Sequence, residues 1–160
     1  MCRHLYADGE TPSDARRPDR RTSIAATVAQ TMLGLFLLVA GTGHLTVARD
    51  AFQAQVPTWL PADPDVVVVA SGVVELLLGL SLLLLWRWRI PLGWVVAGFF
   101  VAVFPGNISQ FTTGTDSFGL DDDLSRGIRL LFQPLLVLWA LWSTGAWRAW
   151  RAGRAAARRR

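Results

Sequence analysis

Four long runs of apolar residues without charges, or with a single one, constrain this 160-residue chain more than any other feature. A bilayer core about 30 Å thick is crossed by roughly 20 apolar residues of α-helix, which rises about 1.5 Å per residue. Each run is long enough to cross, the last only just. The runs span residues 22–48, 66–86, 90–115 and 130–147, and only the second is interrupted, by Glu75.

We therefore predict an all-α integral membrane protein, a four-helix bundle spanning residues 22–147. The expected spans are residues 24–46, 66–86, 91–112 and 127–147. Residues 1–21, which contain two prolines and many charges but no apolar period, are predicted to be a disordered basic leader. Residues 148–160 are predicted to be a basic tail.

The arginines predict the orientation. Thirteen of the 16 lie before the first span, between the second and third, or after the fourth, and there is no lysine. The positive-inside rule then places both termini in the cytoplasm and the protein in the cell (inner) membrane. The other two loops are acidic, so the surface is suited to a lipid bilayer and not to nucleic acid. Trp147 and Trp150, interleaved with arginines, are typical of the headgroup region.

Composition also excludes function classes. Too few residues remain outside the spans to form a soluble catalytic domain. The single Cys2 allows neither an internal disulfide nor a thiolate metal cluster, and no Gly-rich phosphate loop or HExxH motif is present. We find no self-sufficient catalytic constellation and predict neither a catalytic residue nor a metal site. No cofactor is predicted from the chain alone, although a quinone would be compatible with it.

Polar residues within the spans are the candidates for function, because hydrocarbon cannot solvate them. Helical spacing places two sets of polar and small residues on inward faces, and glycine lets such faces approach closely. The sets are Gln30, Gly34, Gly41 and His44 in the first span, and Gly72, Glu75 and Gly79 in the second.

A polar cluster is expected in the outer half of the bundle, where His44, Glu75, Asn107, Arg129 and Gln133 fall. A lone ionised Glu75 would cost at least about 3 kcal/mol at that depth, so it is either protonated or paired, and Arg129 is the expected partner. Three interpretations remain open: a Glu75–Arg129 link that only fixes helix packing, a pocket for a quinone-like head group, a small anion or a proton, and a protonated Glu75 without a pair. His44 is expected to be a hydrogen-bonded interface residue, because no His or Cys partner exists within the spans.

The two outer loops differ. The first contains Phe52, Trp59 and three prolines, so we expect it to lie at the membrane interface and to cap the open end of the bundle. The second, residues 114–125, is short, and its Asp121–Asp123 run is expected to be solvated.

Several short motifs together resemble the DoxX-like family of small bacterial membrane proteins, over roughly residues 25–145. They are Gly41 to His44, Val56-Pro57-Thr58-Trp59-Leu60-Pro61, Ser71-Gly72-Val73-Val74-Glu75-Leu76 with Gly79, Phe104-Pro105-Gly106-Asn107, and Arg129-Leu130 with Gln133. The resemblance implies a four-helix membrane bundle and, by analogy only, an accessory role beside quinone-coupled redox proteins.

The sequence thus favours a non-enzymatic accessory membrane protein whose outer polar pocket binds a quinone-like or small anionic molecule. A membrane redox protein is the expected partner, and a homo-oligomer is compatible with the sequence. The competing hypothesis is a purely structural or interaction bundle. An ion or proton pathway is disfavoured, because the inner halves of the spans offer only Thr27, Gln30 and Ser81.

Overall fold

The computed structural model describes residues 23–114 and 123–159, and in the second range it describes side chains from residue 127 onward. The predicted leader 1–21 and most of the acidic loop 114–125 lie outside these residues. Within them, all regular secondary structure is helical, as predicted. The helices are α1 (Ile24–Leu45), α2 (Arg49–Gln53), α3 (Pro64–Leu84), α4 (Arg89–Thr113), α5 (Asp123–Ser143) and α6 (Ala146–Ala157), with a 3-10 turn at Trp86–Trp88.

Three of these helices are long and apolar enough to cross a membrane: α1, α3, and α4 together with the 3-10 turn before it. Helices α5 and α6 meet the same test only as a pair, and the pair is bent by 68°. The described residues therefore provide three candidate spans, or four if the bent pair is one.

The helices expose large apolar side chains and bury polar ones. Val39, Leu77 and Val101 are 74%, 59% and 60% exposed, whereas the side chain of Gln30 is completely buried and donates to the Leu82 carbonyl at 2.9 Å. A large exposed apolar surface is unfavourable in water, but hydrocarbon solvates it. The distribution is the one expected of helices surrounded by lipid.

Helices α1 and α3 pack through two glycine pairs. A methyl group added to Gly41 would lie 2.7 Å from the carbonyl oxygen of Gly72, and one added to Gly79 would lie 2.8 Å from that of Gly34. Only a hydrogen atom fits at such distances, so the two backbones touch at both crossings. The predicted inward orientation of these glycines is confirmed.

Helices α4 and α5 form the second close pair. Their buried side chains, among them Val96 and Phe100 of α4 and Leu136 and Ala140 of α5, belong to one apolar cluster with Leu33, Leu37 and Leu82. The indole Nε1 of Trp139 on α5 donates to the Ala29 carbonyl of α1 at 2.9 Å. This bond ties the two helix pairs together.

The fourth apolar segment differs from the prediction, because its helix ends at Ser143 and not near residue 147. The Thr144 hydroxyl donates a hydrogen bond to the Ala140 carbonyl at 2.7 Å. Gly145 adopts a φ of 77°, a left-handed conformation that glycine takes without steric cost. A new helix, α6, begins at Ala146. Most of the segment predicted only as a basic tail is therefore helical.

Residues 46–63 fold over one end of the assembly, which we call the loop end. The Asp63 side chain accepts from the backbone N–H of Asp65 at 2.8 Å, and Pro64 opens α3. The Asp65 carboxylate in turn accepts hydrogen bonds from Nε and Nη2 of Arg49, and from the Gln53 side-chain amide at 2.6 Å. These bonds hold α2 against α3. The hydrogen bond to Asp65 also raises the pKa of Arg49. The opposite end, formed by residues 85–89 and 144–158, is called the arginine end.

Candidate functional site: a polar cavity at the loop end

All five polar residues singled out from the sequence line one cavity of about 500 Å³ at the loop end. His44 comes from α1, Glu75 from α3, Asn107 from α4, and Arg129 and Gln133 from α5. Most of the remaining lining is apolar and includes Phe36, Phe52, Ile128, Phe132 and Leu136. Helices α1, α3, α4 and α5 thus each direct polar groups into a mostly apolar space.

Glu75 lies against His44, with 2.9 Å between its Oε2 and the Nδ1 of the imidazole. The Cα–Cβ bond of a helical residue tilts toward the N-terminus of its helix. Since α1 and α3 run in opposite directions and touch at Gly41 and Gly72, the two side chains lean toward each other across this crossing. The Glu75 side chain is 10% exposed.

The prediction that Arg129 pairs with Glu75 is wrong. The ion pairs within residues 23–114 and 127–159 are His44–Glu75 and Arg49–Asp65, and Arg129 instead donates from Nη2 to the Gln55 Oε1 at 2.7 Å. The prediction assumed that Glu75 needs a permanently charged partner, whereas the Gly41–Gly72 crossing places the His44 imidazole beside it. The long arginine side chain reaches a loop amide, which helix periodicity could not position.

The contact between His44 and Glu75 leaves one carboxylate oxygen incompletely satisfied. His44 Nδ1 is also 2.9 Å from the Ala40 carbonyl, so two acceptors compete for one Nδ1 proton. Although the distance to Glu75 is that of an ion pair, its angles are not those of a hydrogen bond. Among the described residues, Glu75 Oε2 has no hydrogen-bond donor with acceptable geometry. Burial of this oxygen without a donor has a desolvation cost in the structure as it stands.

Asn107 and Gln133 form a separate polar link across α4 and α5. Asn107 Nδ2 donates to Gln133 Oε1 at 2.9 Å, and Gln133 Nε2 donates to the Phe100 carbonyl. That carbonyl is one residue before Val101, whose helical donor is missing because Pro105 has no N–H. The Gln133 Nε2 thus bonds to the backbone, while Asn107 lines the cavity.

The loop supplies site residues that the sequence did not reveal. The Phe52 ring stacks on the His44 imidazole with 3.5 Å between centroids and an interplanar angle of 16°. The Gln55 side chain accepts a hydrogen bond from Arg129. The Gln55 backbone carbonyl oxygen would lie 3.2 Å from a methyl group added to Gly106, so the loop packs closely on α4 there. The only sequence signal was the apolar, proline-rich character of this loop, which predicted a cap but not its contacts.

A second, smaller cavity of about 220 Å³ adjoins the first and shares His44, Phe52, Gln55, Ser71 and Val103 with it. Its remaining lining is almost entirely apolar and includes Pro57, Trp59 and Leu60 of the loop. Together the two cavities form a polar chamber with an apolar extension beneath residues 52–60. Over residues 23–114 and 127–159, no three His, Cys, Asp or Glu side chains come together in a way that could hold a metal ion.

A family model described as a domain of unknown function (DUF8561) matches residues 33–144. The matched segment runs from near the middle of α1 to the break after α5 and includes all five predicted site residues. No curated protein and no solved structure matches the chain. Because the family model covers most of the sequence, the chain belongs to the DUF8561 family.

Proposed function

We propose that this DUF8561 protein is a non-enzymatic accessory protein of the cell membrane, and that its loop-end cavity binds a small quinone-like molecule. The observation that carries the proposal is the convergence of polar side chains from α1, α3, α4 and α5 on one mostly apolar cavity. Ligand sites for small molecules combine these features, an apolar wall with a few fixed polar groups.

The cavity chemistry favours a quinone-like ring over a small inorganic anion. The stacked His44 and Phe52 rings and the nearby Phe36 and Phe132 provide flat or apolar surface for a ring. Arg129 is a donor suited to a ligand carbonyl, and the Glu75 carboxyl group, which also lines the cavity, is an acceptor suited to a hydroxyl of the reduced form. The apolar extension would accommodate the first part of a lipophilic tail.

The proposal includes a four-helix bundle in which α5 is the fourth span and α6, bent from it by 68°, lies at the arginine end. The arginine end then faces the cytoplasm, in agreement with the positive-inside rule, and both chain termini are cytoplasmic. The cavity opens toward the outer leaflet. The resemblance to the DoxX-like family supports a role beside a membrane redox protein, which would supply the electron chemistry that this chain lacks.

A structural role is the second candidate, and a specific observation favours it. His44 with Glu75, and Asn107 with Gln133, contact each other and so could serve only to fix the helix pairs α1–α3 and α4–α5. Buried polar pairs contribute to specificity of packing in some proteins. This role requires no ligand, and that difference separates the two candidates.

Thermal unfolding in mild detergent with a short-chain ubiquinone distinguishes them. A ligand at 100 times its Kd stabilises a protein by about 2.7 kcal/mol, so we expect the Tm of the wild type to rise by several degrees. Glu75→Gln and Arg129→Gln should abolish the rise, whereas Arg87→Gln, which removes an exposed arginine outside the cavity, should retain it. If none of a series of quinones shifts the wild-type Tm while Glu75→Gln lowers it, the structural role is the correct one.

A further inference from the structure

The arginine end carries positive charge on a helix that leaves the bundle. Helix α6 is inclined by 68° to α5, and its residues from Trp147 onward are exposed. If α5 crosses the membrane, α6 lies close to the membrane plane. An exposed cationic helix at that position is placed among lipid headgroups.

Two arginines converge at the bend. The Nη2 atoms of Arg89 and Arg148 each lie 3.7 Å from the point that a Cβ on Gly145 would occupy. The ion pairs of residues 23–114 and 127–159 involve neither of them. Two guanidinium groups directed at one point repel each other, and an anion between them would remove that repulsion and accept hydrogen bonds from both.

The backbone around this point is also electropositive. Helices α4 and α6 begin at Arg89 and Ala146, and neither N-terminus has a hydrogen bond from a capping side chain. The first turn of a helix carries partial positive charge from its free N–H groups. These N–H groups add to the attraction that the two arginines exert on an anion.

Helix α6 extends the charged surface away from the bend. Trp150, Arg151, Arg154 and Arg158 line a groove of about 320 Å³, and the Arg154 guanidinium lies 4.7 Å from the centre of the Trp150 ring. The ring centres of Trp147 and Trp150 are 5.0 Å apart. Indole rings concentrate at the boundary between headgroups and acyl chains, so this groove is at the height of lipid phosphates.

We propose that the Arg89–Arg148 pair at the Gly145 bend binds the phosphate of an anionic phospholipid, and that the arginines of α6 extend this contact along the same leaflet. Charge complementarity selects an anion, and the apolar surface beside the pair selects a lipid over free phosphate. Ile90 and Trp94, which follow Arg89 on α4, are 41% and 43% exposed and would lie against acyl chains. This site requires membrane insertion but does not depend on a ligand in the loop-end cavity.

Retention of added lipid by the full chain, measured by native mass spectrometry after detergent purification, tests the proposal. The probes are phosphatidylglycerol, phosphatidylcholine and inorganic phosphate. The wild type should retain phosphatidylglycerol in preference to phosphatidylcholine, and excess inorganic phosphate should not displace it. Each arginine near an anionic lipid is expected to contribute about fivefold, so Arg89→Gln with Arg148→Gln should reduce retention about 25-fold.

The matched control is Arg87→Gln with Arg159→Gln, which removes the same charge from the same end and should change retention less than twofold. Arg148→Gln alone, at an exposed position, should fold normally and lose about fivefold. An equal loss in the control, equal retention of both lipids, or displacement by inorganic phosphate would each overturn the proposal. The quinone-induced rise in Tm should be unchanged in all these variants, which separates this site from the cavity.

Discussion

Charged side chains have different surroundings at the two ends of the molecule. At the loop end, charged side chains lie against protein groups: Glu75 against His44, Arg49 against Asp65, and Arg129 against Gln55. At the arginine end, Arg89 and Arg148 point toward the same space, and the ion pairs of the described residues involve no arginine from that end. The loop end is thus organised by internal contacts, whereas the arginine end depends on its surroundings for neutralisation.

For Glu75 this difference follows from depth. A carboxylate within a span is costly unless a partner reduces its charge or binds it, so Glu75 must be satisfied by His44 or by a ligand. Guanidinium groups at a helix terminus remain within reach of water and lipid phosphates and need no protein partner. Substitutions should therefore destabilise the loop end strongly and the arginine end weakly.

The largest effect is expected from His44→Ala. It leaves Glu75 buried beside a vacated ring, and removing one partner of a buried pair typically costs about 3–5 kcal/mol. Adding Glu75→Gln to His44→Ala should recover part of the loss, because the unpaired carboxylate is then absent. Reversible unfolding in mixed detergent micelles measures both values. Equal stability of wild type, single and double variants would show that the pair contributes nothing to the loop end.

A smaller effect is expected at the glycine crossing beneath the cavity. Gly41→Ala places a methyl group 2.7 Å from the Gly72 carbonyl oxygen, so α1 and α3 must separate, at a cost of about 1–3 kcal/mol. The control is Gly98→Ala on α4, where an added methyl group meets no atom within 4 Å. That change should leave stability the same or raise it by up to about 1 kcal/mol. Unfolding titrations that give both alanine variants the same stability would contradict the close α1–α3 contact.

Gln133→Leu should destabilise the α4–α5 pair by about 1–3 kcal/mol, toward the lower end of that range. Asn107 loses its acceptor and the Phe100 carbonyl loses its second donor, and the unsatisfied Asn107 amide has a desolvation cost. Adding Asn107→Leu should restore part of the loss, because the stranded amide is then removed. The same unfolding assay measures the coupling, and additive losses would mean that the two amides do not interact.

The smallest effect is expected at the arginine end. Arg87 takes part in none of the contacts described at the bend. Arg87→Gln should therefore change the unfolding free energy by less than about 0.5 kcal/mol in zwitterionic detergent. A loss as large as that of His44→Ala would erase the distinction between the two ends.

Sequence patterns predicted the helices well and their partners less well. The apolar runs located α1, α3 and α4 to within about two residues, because hydrocarbon imposes a length and composition that the chain itself displays. The same reasoning missed the bend at Gly145, where a glycine within an apolar run gives no signal of its left-handed conformation. It identified five of the polar residues that line the cavity, since inward faces follow from helical periodicity.

The pairing of those residues was harder to predict. His44 with Glu75 depends on the depth at which α1 and α3 cross, and Arg129 with Gln55 depends on the path of a loop. Neither is encoded in the period of a single helix. The tilt of Cβ toward each helix N-terminus, combined with the Gly41–Gly72 crossing, would have favoured the histidine.

The most direct test of the central claim is to identify the small molecules that co-purify with the protein in native membrane discs. The wild type and the Arg87→Gln control should retain a quinone-like molecule at near-stoichiometric amounts, and Glu75→Gln should lose it while remaining folded. Equal trace amounts in all three proteins would contradict a ligand-binding cavity and leave the loop end with a purely structural role.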